Sequence, residues 1–388
     1  MRRTVRSAAL LGALALASPP TVRAQSFAAA DAAVAAGVRA GVYPGAVLVV
    51  GTRDSVLHAR GFGRLTWSRR SVPVSPDSTV WDLASLTKVV ATTPAVMLLV
   101  DRGLVDLDAP VARYLPRFTG AGKDRVTVRM LLDHTSGEPA WRPFSSLAPD
   151  RDSAIALLYA TPLARTPGAS AVYSDLNAML LGLLVAQLTG TPLDAFATRD
   201  IFAPLGMHDT RFRPPGSWRH RVAPTGRFHG RPVAGIVNDR NAERLGGVAG
   251  HAGLFSTGRD LARYAQFWLR GGTLPSGTPL VSGATMARFL APAARSGNRL
   301  LGWERPDPAE FSPDPYGSLL SDSAYGHTGW TGTQIWIDPA RDLFVVLLTN
   351  RSYDPRVPKP FTALHAVRGQ VSDAVVRARD VDVRRARP

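Results

Sequence analysis

Two residues near the first quarter of the chain have the types and the spacing that covalent catalysis by serine requires. Ser85 is followed three residues later by Lys88, at the start of an apolar stretch that predicts a helix. Three residues span about one helical turn, so the lysine amine would lie on the same face as the serine oxygen. A serine hydroxyl needs a neighbouring base to take its proton, and a desolvated lysine can act as that base. The pair predicts a nucleophilic Ser85, although an ordinary N-cap serine beside a surface lysine gives the same pattern.

Two later segments supply further polar groups in a fixed order. Tyr173 lies in a loop before a second apolar helix, and Asp175 follows two residues later. His327, Thr328 and Gly329 lie in a glycine-rich segment that leads into a strand-like stretch. A loop tyrosine in that position can reach a cleft, and a glycine-lined strand edge lets backbone amides approach a substrate. The three segments together are much more specific than the serine and lysine alone.

In this order the segments resemble the three active-site motifs of the serine β-lactamase and penicillin-binding protein superfamily. A tyrosine at the head of the second motif is similar to class C β-lactamases, DD-carboxypeptidases and related esterases. The competing alignment matches Ser174 and Asp175 to class A enzymes, which need a deacylating glutamate soon afterwards, and the next glutamate is Glu243. Residues 131–137 and 246–257 also resemble stretches of this family.

The resemblance implies a role for each matched residue. Ser85 would form the acyl-enzyme, and Lys88 and Tyr173 would share general-base and general-acid duty. The backbone amides of Ser85 and Trp330 would form the oxyanion hole. The other substrate-binding candidates are Asp175, His327, Thr328, Gly329 and Arg351.

Two positions depart from the family pattern. Asp175 stands where class C enzymes usually have asparagine, which places an acid near Lys88 and can hold that amine charged. His327 stands where a lysine often begins the third motif, and a histidine with a pKa of about 6.5 is mostly neutral at pH 7.5. We therefore expect uncharged esters to be preferred to β-lactams, unless Arg351 binds the substrate carboxylate; a solvated Arg351 is the alternative.

The surrounding pattern predicts strands at both ends of the chain and helices between them. Apolar runs at 45–50 and 55–61 predict one hairpin, and runs at 333–338 and 343–349 predict another. Between residues 85 and 272 the apolar periodicity is mostly helical. This order predicts an α+β fold, which the resemblance refines to an antiparallel sheet flanked by helices with an inserted all-helical domain, as in β-lactamases and transpeptidases.

The same order suggests how the chain divides into domains. Residues 25–80 and 255–388 would form the sheet domain, and residues 81–254 would form the mostly helical domain. The active site would lie between the two.

The N-terminal residues 1–24 predict a secretory signal peptide. Basic residues precede a short apolar run, and a small-residue site ends at Ala24. A membrane anchor is the alternative, but an apolar run of about ten residues is too short to cross the hydrocarbon core. We expect an exported protein, periplasmic or secreted, with no stable membrane anchor after cleavage. The chain has no cysteine, so disulfides and a lipidated N-terminal cysteine are excluded.

Other classes of function fit the sequence poorly. The formal charge is +16, but the basic residues are scattered, so no nucleic-acid partner is expected. The eight histidines are also scattered and no zinc motif is present, so neither a metal nor a cofactor is expected. His134 and His251 lie in glycine-bearing loops and are expected to stabilise them by hydrogen bonds; a position near the cleft is the alternative. The expected partner is a small-molecule or peptidoglycan-derived substrate, and the oligomeric state stays open. The alternative function is a catalytically silent family member that binds cell-wall fragments or a partner protein.

Overall fold

The architecture is built from a hairpin near each end of the chain and helices between them. The computed structural model describes residues 26–228, 231–292, 296–307, 311–353 and 360–385, and the predicted signal peptide lies outside this part. The strands described are β1 (Gly45–Gly51), β2 (Val56–Gly63), β3 (Trp81–Asp82), β4 (Arg211–Phe212), β5 (Gly226–Phe228), β6 (Arg231–Val233), β7 (Leu254–Ser256), β8 (Tyr325–Thr328), β9 (Gln334–Asp338) and β10 (Leu343–Thr349). The α-helices described are α1 (Ala28–Arg39), α2 (Thr93–Asp101), α3 (Val128–Leu132), α4 (Phe144–Leu147), α5 (Arg151–Ala160), α6 (Asp175–Thr189), α7 (Leu193–Ala197), α8 (Arg240–Arg244), α9 (Gly258–Leu269), α10 (Gly283–Leu290) and α11 (Phe361–Arg385).

Both predicted hairpins are present, and they join into one sheet. The turn between β1 and β2 is closed by the Thr52 N–H, which donates to the Ser55 carbonyl at 2.8 Å. Strand β10 of the second hairpin pairs with β1, with Leu348 opposite Val47. The sheet order is β2-β1-β10-β9-β8, and every neighbouring pair is antiparallel. Strand β8, which carries His327, therefore ends up at an edge of the sheet.

Both faces of the sheet are buried, which explains why β1 is a continuous apolar run. Val47 and Val49 belong to the core that includes α9 and the helical segment. Ala46, Leu48 and Val50 point the other way, into a second core formed with α1 and α11. Successive side chains of a strand alternate between faces, so one strand contributes to both cores. The α+β class predicted from the sequence is confirmed.

The inserted helices surround α6, most of whose residues are buried. The small sheet β3-β7-β4 joins the two ends of this segment, with Trp81 opposite Ser256. The domain borders at residues 80 and 254 stay a prediction; β3 and β7 lie at these borders and pair with each other. No single described helix is long and apolar enough to span a membrane. One pair of helical segments, α6 and Leu193–Phe202, reaches the required length and apolar composition together, but the two are bent by 78° relative to each other.

The last helix, α11, was not predicted from the sequence. Leu364 and Val371 are fully buried against the sheet, but charged residues interrupt the apolar pattern. One of them, Arg368, is itself buried and donates to the carbonyls of Gly329 and Thr333, each at 2.8 Å. Burial lowers the pKa of Arg368 to about 9. This buried arginine ties α11 to the segment that follows His327.

Candidate active site

A strained turn presents Ser85. The preceding residue, Ala84, has φ = 48°, in the left-handed region that non-glycine residues rarely adopt. Such a conformation costs about 1–3 kcal/mol and persists where the surroundings fix it. Here the Asp82 carboxylate accepts the Ala84 N–H at 2.9 Å, and it also accepts the Asn238 N–H at 2.7 Å. Ser85 then leads into helical residues that continue as a π-helical turn, Lys88–Thr92, and as α2.

Lys88 is buried, and its ammonium lies close to three oxygen atoms. Its Nζ lies 3.0 Å from Ser85 Oγ, 2.7 Å from Asp175 Oδ1 and 3.2 Å from the backbone oxygen of His251. Burial lowers the pKa of Lys88, but the charge of Asp175, the interaction with Tyr173 and the hydrogen bonds to both residues together more than offset this, and the pKa lies above its usual value. Lys88 therefore carries its proton in the resting state.

Tyr173 completes the contacts of the serine. Its hydroxyl is hydrogen-bonded to both Lys88 and Ser85, and Lys88 Nζ lies 4.8 Å from the ring centroid. Burial raises the pKa of Tyr173, while the charge of Lys88 opposes that rise only in part. Both partners of Ser85 thus hold a proton at rest. Before Lys88 or Tyr173 can accept the proton of Ser85, the Lys88–Tyr173 pair must first lose one of its own protons.

His134 holds the loop that carries Tyr173. The Val172 N–H donates to the His134 carbonyl at 2.9 Å, and the Ser174 N–H donates to His134 Nδ1 at 3.1 Å. Asn177 adds a contact from Nδ2 to the same ring nitrogen at 3.2 Å. Burial lowers the pKa of His134 well below its usual value, so Nδ1 stays an acceptor. The loop-stabilising role predicted for His134 agrees with these bonds.

Strand β8 places His327 on another side of Tyr173, with the ring centroids 5.8 Å apart. His327 Nδ1 lies 2.7 Å from the Thr328 carbonyl, so Nδ1 is the donor and Nε2 carries the lone pair. Among the described residues, Nε2 is buried and has no hydrogen-bond partner. Burial lowers the pKa of His327 well below its usual value, and the charge of Lys88 lowers it further. His327 is therefore neutral and brings no positive charge to the site.

Gly329 lets the edge of the sheet pack closely against the turn that carries Ser85. A Cβ at Gly329 would lie 2.6 Å from the Leu83 carbonyl oxygen and 2.2 Å from Thr333 Oγ1, so a larger residue does not fit. Thr331 and Thr333 fix this approach, because their hydroxyls donate to the carbonyls of Asp82 and Leu83 at 2.8 and 3.0 Å.

Two backbone amides are available as oxyanion donors. Within the described ranges, the N–H groups of Ser85 and Trp330 donate to no acceptor. The Trp330 side chain is 61% exposed and stacks on Phe361, with the ring centroids 5.3 Å apart. The Arg351 guanidinium carbon lies 4.3 Å from the centroid of the Phe361 ring. Trp330 and Arg351 thus share an aromatic rim beside the site.

Sequence reasoning missed a cation that lies against Tyr173. The guanidinium carbon of Arg299 is 5.2 Å from the centroid of the Tyr173 ring. Its Nη1 lies 2.5 Å from Glu304 Oε2, and both side chains are almost fully buried. No motif marks this residue, because only the tertiary fold brings its loop to the site.

A second carboxylate and a histidine lie beside the lysine. Ligand-type atoms of Asp175, Asp239 and His251 lie within 4.8 Å of one another, a spacing that can hold a metal ion. However, the Lys88 ammonium already pairs with Asp175, and His251 Nε2 lies 2.9 Å from Asp239 Oδ1. The charges of this group are compensated by side chains of the protein itself.

Comparisons with known proteins agree on one family. The model of the beta-lactamase family matches residues 30–368. An N-acetylmuramyl-L-alanine amidase of Bacillus subtilis (strain 168) is 34% identical over 81% of this chain and 78% of its own length. A putative D-alanyl-D-alanine carboxypeptidase of Escherichia coli (strain K12) is 31% identical over 81% of this chain and 80% of its own length.

Solved structures share the fold. A penicillin-binding protein homologue from Caulobacter crescentus has 24% identity and a TM-score of 0.71, over 91% of this chain and 97% of that one. A family VIII carboxylesterase has 25% identity and a TM-score of 0.69, with the same two coverages. The chain therefore belongs to the beta-lactamase family, within the serine β-lactamase and penicillin-binding protein superfamily, and is a serine hydrolase of β-lactamase, DD-peptidase or esterase type.

Proposed function

We propose that this protein is an exported hydrolase that transfers the acyl group of an ester, amide or lactam to water through an acyl-enzyme on Ser85. The observation that carries the proposal is the contact of Ser85 Oγ with both Lys88 Nζ, at 3.0 Å, and the Tyr173 hydroxyl. Export is supported by the N-terminal segment, residues 1–24, and it would place peptidoglycan-derived peptides within reach.

The mechanism follows from these contacts. When the Lys88–Tyr173 pair has lost one proton, Ser85 Oγ bonds to the carbonyl carbon of the substrate while its own proton passes to this pair. The N–H groups of Ser85 and Trp330 stabilise the oxyanion. The bond to the leaving group then breaks as the pair returns a proton to it. Water attacks the acyl-enzyme in the same way, releases the acid and restores Ser85.

The charges around Ser85 favour an uncharged substrate. Lys88 faces the carboxylate of Asp175, and the nearby Arg299 is paired with Glu304, so neither cation is uncompensated. His327 is neutral because burial lowers its pKa well below the usual value. A substrate carboxylate gains little attraction from Lys88, Arg299 and His327, which supports a preference for esters over penicillins and cephalosporins unless the carboxylate binds Arg351 at the aromatic rim.

His327→Lys is expected to raise the ratio of kcat/KM for a chromogenic cephalosporin to that for a short-chain nitrophenyl ester by about tenfold or more, because it adds a charge near the substrate carboxylate. In the parent the ratio should stay flat from about pH 5.5 to 8.5, since His327 remains neutral over that range. The matched control is His220→Lys, at an exposed histidine. A parent that cleaves the cephalosporin better than the ester at pH 8 would overturn the ester preference.

A second candidate function is a D-alanyl-D-alanine carboxypeptidase, which the names of several relatives favour. Its substrate carboxylate would have to compete with Glu304 for Arg299. Turnover of a D-alanyl-D-alanine peptide, measured beside that of the nitrophenyl ester, decides between the esterase and the peptidase. Faster turnover of the peptide than of the ester favours the peptidase. No turnover of any substrate, with no labelling by a fluorophosphonate, would favour the catalytically silent alternative.

Asp175→Asn is expected to move the acidic limb of the kcat/KM pH profile to lower pH by about one unit or more. The charge of Asp175 stabilises the Lys88 ammonium, so its removal lowers the pKa of Lys88, and the reactive form with one proton fewer appears at lower pH. Activity itself should be retained. The control is Asp152→Asn. Asp152 lies in the first turn of α5, as Asp175 lies in the first turn of α6, but Asp152 is exposed. A limb that stays in place or moves to higher pH would contradict this role.

A further inference from the structure

The loop that contains His251 is fixed to the Lys88 helix by two consecutive carbonyls. The Gly250 carbonyl accepts the Thr92 hydroxyl at 2.7 Å, and the His251 carbonyl accepts Lys88 Nζ at 3.2 Å. Gly250 also packs closely against α6. A Cβ at this position would lie only 1.8 Å from the Ala178 carbonyl oxygen, so no larger residue fits. The direction of the His251 carbonyl is therefore set by packing on two helices.

The side chain of His251 adds a third anchor. It is only 1% exposed, and its Nε2 lies 2.9 Å from Asp239 Oδ1. The same oxygen caps α8 by accepting the Ala242 N–H at 2.7 Å. Because an ionised carboxylate only accepts, His251 Nε2 is the donor in this pair. Asp239 thus holds the ring of the residue whose carbonyl binds Lys88.

Asp239 also contributes charge. Burial raises its pKa, but the charges of His251 and Lys88 and the hydrogen bonds it accepts more than offset this, so the pKa of Asp239 lies below its usual value. Two carboxylates, from Asp175 and Asp239, therefore lie near one ammonium. The other titratable groups that interact with Lys88 or lie beside these carboxylates are Tyr173, His134, His327, Arg299 and Asp82. Burial, and to a smaller extent the charge of Asp239, raises the pKa of Asp82 to about 6.

We propose that Asp239 and His251 are a positioning pair for Lys88: the His251 carbonyl directs the ammonium toward Ser85, and the Asp239 carboxylate locks His251 and adds a second counter-charge. The pair touches neither the nucleophile nor the site of the oxyanion. It acts through Lys88, and its catalytic consequence rests on the function proposed above.

The charge part of the proposal is tested on Lys88 directly. The chain has few lysines, namely Lys88, Lys123 and Lys359, so the side-chain NMR signals of protein labelled in lysine can be assigned with Lys123→Arg and Lys359→Arg. In the Asp175→Asn background, adding Asp239→Asn should lower the pH at which Lys88 titrates by about half a unit or more. Asparagine still caps a helix and accepts a hydrogen bond, so the fold is kept.

The matched control is Asp150→Asn, an acid that caps α5 by accepting the Ser153 N–H at 2.8 Å but lies at an exposed position. It should leave the Lys88 titration unchanged. An unchanged titration in Asp239→Asn would overturn the charge part of the proposal. Because this readout does not depend on turnover, it stays valid even if the proposed hydrolysis fails.

The positioning part is tested by kinetics. His251→Gln keeps a donor near Nε2 and should retain kcat within about threefold, whereas His251→Leu removes the donor and should lower kcat by about tenfold or more with little change in KM. Equal kcat values for a folded Leu variant and the Gln variant would overturn the positioning role. If the Leu variant does not fold, Asp239→Gly is used instead, because it removes the carboxylate that holds the His251 ring. An unchanged kcat in Asp239→Gly would then overturn the positioning role.

Discussion

Ser85→Ala is expected to reduce hydrolysis to the background rate while leaving the protein folded. The substitution removes the atom that would bond to the substrate carbonyl, and no other described hydroxyl contacts Lys88 Nζ and the Tyr173 hydroxyl together. The melting temperature should stay within about 4 °C, because even a lost helix cap costs about 0.5–2 kcal/mol. The measurements are turnover of a nitrophenyl ester and thermal unfolding.

The control for this substitution is Ser146→Ala, an exposed serine whose hydroxyl donates only to the nearby Pro143 carbonyl. It should keep full activity. Residual turnover in Ser85→Ala at more than about a hundredth of the parent rate would place the nucleophile elsewhere, since a missing nucleophile costs more than a missing proton carrier.

Tyr173→Phe is expected to lower kcat by about 10²–10⁴-fold, the usual contribution of a general acid–base group. Phenylalanine keeps the ring that packs near Lys88 and His327, so KM should change little. Tyr159→Phe is the matched control, because Tyr159 lies in α5 and binds Lys123 through its backbone carbonyl. A loss of less than about fivefold would remove Tyr173 from the proton transfers.

The parts of the fold that depend on local sequence were predicted well. The turn around Thr52 and the turn after Asp338 set both hairpins, because turn residues and apolar runs act over a few neighbours. The order of the three motifs also indicated the superfamily, which the family match confirms. The order of the strands in the sheet is harder to predict from the sequence, since β1 pairs with β10 across about 300 residues of intervening chain.

The features that were missed depend on tertiary contacts. Arg299 lies in a loop with no motif, and α11 hides a buried arginine, Arg368, whose partners are carbonyls of a distant segment. The strain at Ala84 has no signature, because alanine is rarely left-handed. The sequence predicts a loop-stabilising role for His251, with a position near the cleft as the alternative, but the contact of its carbonyl with Lys88 depends on the folded chain.

The measurement that tests the account most directly is mass spectrometry of the protein quenched during turnover of a slow substrate, followed by peptide mapping. The account predicts that the parent gains the mass of one acyl group, carried by the peptide that contains Ser85, and that Ser85→Ala gains none. An adduct on another residue, or an equal adduct on Ser85→Ala, would contradict the assignment of Ser85 as the nucleophile.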